Sequence, residues 1–122
     1  MSDLGIEELP PGRYKGVVDK IEYRGKSDIR IIITYKIETP TGIRRLKDQE
    51  LISAPPSSAS HFRTTRGLAR VRAILGIKGL TLDDAEIKSL PGLLEGTALG
   101  VITRNDRVAG FNTPVVVRVE KP

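Results

Sequence analysis

Seven basic residues lie between Ile43 and Arg72: Arg44, Arg45, Lys47, Arg63, Arg66, Arg70 and Arg72. Asp48 and Glu50 alone oppose them, so this quarter of the chain carries the whole net charge of +5. Outside it, 13 basic residues face 13 acidic ones. Cations segregated in this way create a local positive field. The chemistry of such a field is the capture of polyanions, nucleic acid first among them. Arg24, Lys26, Arg30, Lys36, Arg104 and Arg107 are candidates to extend the same track. The competing reading for each is the ordinary solvation of a strand edge or turn.

Arg63, Arg66 and Arg70 recur at i, i+3 and i+7 and predict an outward stripe on a helix, with Arg72 off it. The stripe would continue a phosphate track or meet an acidic partner protein. Aromatic residues are few: Tyr14, Tyr23, Tyr35, Phe62 and Phe111. Alternation turns Tyr14 and Tyr35 inward. Tyr23, Phe62 and Phe111 are the candidates for stacking on bases. With so few rings, binding should lean on phosphates and weaken with salt.

The same residues argue against catalysis. There is no cysteine, which excludes disulfides, thiolate metal sites and a cysteine nucleophile, and fits a reducing cytoplasm. His61 is the one histidine, and no nucleophile-elbow pattern surrounds a serine. Asp83, Asp84 and Glu86 read as carboxylates at a helix start rather than metal ligands. Gly25-Lys26-Ser27 echoes a phosphate-binding loop but joins two strands and lacks the upstream glycine. No catalytic residue, metal or cofactor is expected. No apolar run approaches the roughly 20 residues that cross a bilayer, and the N-terminus does not read as a signal peptide.

The elements that must position these residues are mostly strands. Residues 1–12 read as a flexible acidic arm closed by Pro10-Pro11-Gly12, and 13–122 as one domain. Arg13 to Arg24 alternates, then shifts phase, which predicts a β-bulge near Asp19 or Lys20. Ile29 to Glu38 alternates strictly, leaving Ile32 exposed on a charged face. Thr39 to Gly42 turns the chain into a third strand, Ile43 to Ser53. A Pro- and Ser-rich loop follows, expected to be mobile. Phe62 to Leu75 is helical, with Gly76 at its end, and a short second helix stops at Pro91-Gly92. Thr97 to Thr103 and Val108 to Val119 complete the set, joined by a turn at Arg104 to Arg107. Pro114 predicts an edge or kink in the last strand.

Three strands, a helical connection and a final hairpin is the order of a five-stranded OB-like barrel, a mainly β fold. An SH3-like barrel is the rival, though a helix this long between strands three and four is unusual there. In the OB arrangement the second and third strands and the first and last hairpin loops hold oligonucleotides. That is where Arg24, Lys26, Arg30, Lys36, Arg44, Arg45, Lys47, Arg104 and Arg107 fall.

Leu9-Pro-Pro-Gly-Arg-Tyr-Lys-Gly-Val-Val18 resembles the start of strand one in small phage-encoded single-stranded-DNA-binding proteins with an OB fold. Ala73-Ile-Leu-Gly-Ile77 is similar to their connecting helix, and Leu93-Leu-Glu-Gly-Thr-Ala-Leu-Gly-Val101 to their approach to strand four. The likeness spans about residues 9–119 and rests on turn glycines and core positions. It implies non-catalytic, largely sequence-independent protection of single strands in replication or recombination, in the host cytoplasm. Its implied partners are single-stranded DNA and replication or recombination proteins; a second copy of the chain is a further candidate partner. The chain ends Arg118-Val-Glu-Lys-Pro122, unlike the acidic recruiting tail of bacterial proteins with this function. An RNA-binding OB module remains a rival. So does a protein-interaction or structural barrel using the Arg-rich helix and Ile32.

Overall fold

The computed structural model describes residues 9–82 and 87–122. Its five strands are β1 (Gly12–Arg24), β2 (Ile29–Thr39), β3 (Gly42–Ser53), β4 (Ala98–Val108) and β5 (Phe111–Glu120). Helix α1 (Thr64–Ile77) and the short α2 (Leu90–Leu94) lie between β3 and β4, each preceded by a 3-10 turn. The strands form one antiparallel sheet in the order β3-β2-β1-β4-β5.

β2 follows the alternation. Ile31, Ile33, Tyr35 and Ile37 are fully buried in the core. The bulge also stands where the phase shift places it. Val18 pairs with Tyr35 and Lys20 with Thr34, so Asp19 is the extra residue. Its insertion lets both Val18 and Ile21 face the core despite odd spacing.

Four expectations change. Ile32 is buried, not exposed. It sits mid-sheet, flanked across the ladders by the long side chains of Glu22 and Gln49. The last hairpin turns at Ala109-Gly110, not at Arg104 to Arg107. Both turn residues have positive φ, 51° and 83°, as a two-residue turn matched to strand twist requires. Arg104 and Arg107 are consequently strand residues, opposite Val115 and Asn112. α1 runs one residue past Gly76, to Ile77. Finally, the described end of the N-terminal arm is tied down. Leu9 joins the core, and its carbonyl accepts a hydrogen bond from Asn105 Nδ2 at 3.2 Å. The expected helix-start carboxylates Asp83, Asp84 and Glu86 lie outside the described residues. Pro114 does fall in an edge strand, since β5 pairs with β4 alone.

The architecture is mainly β, with the helical connection after β3 as expected. The sheet is open: no ladder joins β3 to β5. α1 lies against both edges. Its contact with β3 is close because residue 67 is glycine. A Cβ there would stand 1.9 Å from the Leu51 carbonyl oxygen.

Candidate nucleic-acid interface

The space between the two sheet edges is filled by a side chain. Arg70 is only 8% exposed. Its Nε lies 2.9 Å from Asp48 Oδ2 and 3.8 Å from Glu50 Oε2 on β3. Its Nη2 donates to the Val116 and Val117 carbonyls of β5 at 3.1 and 3.2 Å. One guanidinium thereby ties β3 to β5 where backbone bonds do not. This corrects its expected place on an outward phosphate stripe. Arg70 falls in phase with Gly67, Val71 and Ile74, the buried stripe of α1. The signal was in β3, where Leu46, Asp48 and Glu50 share the inward phase opposite Tyr35, Ile33 and Ile31. Two inward carboxylates require an inward cation. Burial pushes the Asp48 carboxyl up to about 7, against the opposing pull of Arg70 and with the Glu50 carboxylate adding to the rise. Burial also pushes the Tyr35 phenol well above its ordinary range, and its hydroxyl reaches Asp48 Oδ2 at 3.4 Å.

The outer surface along β3 gathers cations beside these carboxylates, Glu50 lining one groove and Asp48 the next. Arg30, Gln49 and Leu51 form its floor beside Glu50, and Ser60, Phe62, Arg63 and Arg66 form its wall, around a groove of about 460 Å³. A second groove of about 420 Å³ adjoins it through Gln49 and Arg66, which line both. Lys47, Arg104 and Asp106 extend this second part to β5. The combined channel has Arg30, Lys47, Arg63, Arg66 and Arg104 around it. Asp106 is held by Arg104 through contacts of 2.8 and 3.2 Å.

Phe62 is 71% exposed at one end, with the Arg63 guanidinium 5.6 Å from its ring centroid. The segment that carries it is a run of turns. Ser58 and His61 donate backbone hydrogen bonds to Pro55 and Ser58, and His61 Nδ1 donates to the Ala54 carbonyl at 2.8 Å. The one histidine thus holds the connection to the end of β3.

The remaining candidates distribute as follows. Arg24 stands opposite Arg30 at the end of β1, and Lys26 is exposed in the following turn. Lys36 and Arg45 share Asp19, at 3.9 and 3.2 Å, farther along the outer face. Arg44 takes the inward phase opposite Ile37 and is half-buried. Arg107 is exposed near the last turn, as is Phe111. Neither lines the channel. Tyr23 is corrected to a packing residue. The bulge puts it in the inward phase opposite Ile31, it packs on the core, and its hydroxyl donates to the Ile87 carbonyl. Gln49 and Ser60 line the channel without having been singled out in the sequence. For Gln49 the signal was its shared phase with Lys47.

Among the described residues, no three His, Asp or Glu side chains group as a metal site, and no helix is long and apolar enough to cross a membrane. No protein-family model matches the sequence, and no curated protein matches it significantly.

Proposed function

We propose that this chain is a non-catalytic single-stranded-DNA-binding protein built on a partly open OB-type barrel. The strand order, all-antiparallel pairing and the helix between β3 and β4 support the fold reading. The bridge that Arg70 makes across the two edges supports it further. The observation that carries the function is the channel along β3, where five cations and an exposed phenylalanine meet and outnumber the three carboxylates Asp48, Glu50 and Asp106. Phosphates would lie along Arg30, Lys47, Arg63, Arg66 and Arg104, with Arg24 and Lys26 extending the track. Phe62 would stack on a base. A role in replication or recombination, with proteins of those processes as partners, follows from that activity. The protein-interaction reading loses the feature that favoured it, because Ile32 is buried.

The test is fluorescence anisotropy with labelled oligo-dT of about 30 nucleotides, roughly twice the largest OB footprint, beside duplex DNA and a matched RNA. Five phosphate contacts predict a log–log salt slope of about −3.5 on single strands. Preference for oligo-dT over duplex with that slope supports the reading. Equal binding to single and double strands reduces the channel to unspecific charge, and tighter RNA binding transfers the function to RNA. No binding at low salt refutes it.

A further inference from the structure

We propose that the groove beside Phe62 reads guanine in the bound single strand. This rests on the single-strand reading above and adds a base preference to it. Stacking on Phe62 is available to every base and confers no choice by itself. Choice comes from the groups that meet a base's edge.

Glu50 lines this groove, yet its side chain is only 6% exposed. Its Oε2 has no hydrogen-bond partner among the described residues, and Arg70 Nε stands 3.8 Å from it, beyond hydrogen-bond reach. Its Oε1 stands 3.6 Å from Arg66 Nε, farther than a hydrogen bond reaches. A nearly buried carboxylate with unfilled acceptor capacity is costly, and a ligand that brings N–H donors relieves that cost. A phosphate cannot do so, because it brings only acceptors.

Guanine suits both halves of the groove. Its N1–H and N2–H donors sit side by side and can point at the Glu50 carboxylate. Its O6 and N7 acceptors suit arginine donors, the commonest specific contact to this base. Arg63 and Arg66 on the wall and the Gln49 amide on the floor are placed to supply them. Thymine fits worst, since its single ring N–H is flanked by carbonyl oxygens that a carboxylate repels. Adenine and cytosine bring an amino group but no neighbouring ring N–H. The volume of about 460 Å³ is that of an ordinary small-ligand site.

The experiment is competition against labelled oligo-dT by three unlabelled oligomers of one length. The first is all dT. The second carries a pair of central guanines. The third carries deoxyinosine at those positions, which lacks only the 2-amino group. The guanine oligomer should compete about 5- to 100-fold better than all-dT, the range for one good edge contact, and inosine should lose part of that gain. Glu50→Gln should erase the guanine preference while oligo-dT binding persists. The inosine arm needs only the wild-type protein, so it stands even if that variant does not fold. Equal, salt-sensitive binding of all three oligomers overturns the guanine site and leaves the single-strand reading intact. A guanine preference that inosine retains in full overturns the carboxylate contact. No binding of any oligomer at low salt overturns both readings.

Discussion

Replacing Arg70 with methionine tests the seam most directly. The variant keeps the volume of the side-chain stem but removes the cation that lies 2.9 Å from Asp48 and 3.8 Å from Glu50. It also removes the donor to the Val116 and Val117 carbonyls. Breaking a buried ion cluster from one side costs about 3–5 kcal/mol, because the charges left behind stay buried. That is a large share of the roughly 5–15 kcal/mol that stabilises a domain. The loss must depend on pH. Asp48 titrates near 7 in the folded protein against 3.8 for the free side chain, so the folded state holds its proton more tightly. This group's contribution is fully present below about pH 4 and is lost as pH rises through about 7, an effect on the order of 4 kcal/mol. Without Arg70 the folded-state pKa rises further, and the variant should lose still more stability on the alkaline side. Urea unfolding followed by circular dichroism, at about pH 5 and about pH 8, measures both terms. We expect the full loss near pH 8 and a smaller one near pH 5, where Asp48 is protonated in either protein. A triple variant, Arg70→Met with Asp48→Asn and Glu50→Gln, should recover much of it. An equal loss at both pH values, or one below about 1 kcal/mol, refutes the argument that Arg70 holds the seam by neutralising these carboxylates.

Four further outcomes follow from individual side chains. Gly67→Ala would drive a Cβ to 1.9 Å from the Leu51 carbonyl oxygen, whereas Gly76→Ala on the same helix meets open space. The first should cost about 1–3 kcal/mol or more and the second should stabilise by about 0.5–1 kcal/mol, both read from urea midpoints. Arg63→Ala with Arg66→Ala should flatten the single-strand salt slope by about 0.7 for each phosphate that is no longer neutralised, and an unchanged slope removes the pair from the channel. Phe62→Ala should weaken oligo-dT binding by about 1–3 kcal/mol at unchanged stability. Tyr23→Phe should do the reverse, costing about 0.5–1.5 kcal/mol of stability at unchanged affinity, because its hydroxyl serves Ile87 and not a ligand.

Local order fixes much of this molecule, and local order is written in the sequence. Strict alternation along Ile29 to Glu38 yields β2, and the broken phase around Asp19 yields the bulge, because side chains in a strand have a period of two wherever it lies. The concentration of cations between Ile43 and Arg72 was equally legible, since charge needs no fold to be counted. What each cation faces was not. Arg63 and Arg66 reach the channel while Arg70, one turn on, is buried, and although Arg70 shares the phase of Gly67, Val71 and Ile74, the carboxylates it answers lie on another strand. The turn at Ala109-Gly110 won over the polar stretch before it because β4 and β5 pair through that stretch to Val108 and Phe111. The channel belongs to tertiary structure alone. Arg30, Gln49, Phe62, Arg66 and Arg104 come from four separate elements and the turn before α1, and only the approach of β3 and β5 under one helix brings them to a common surface.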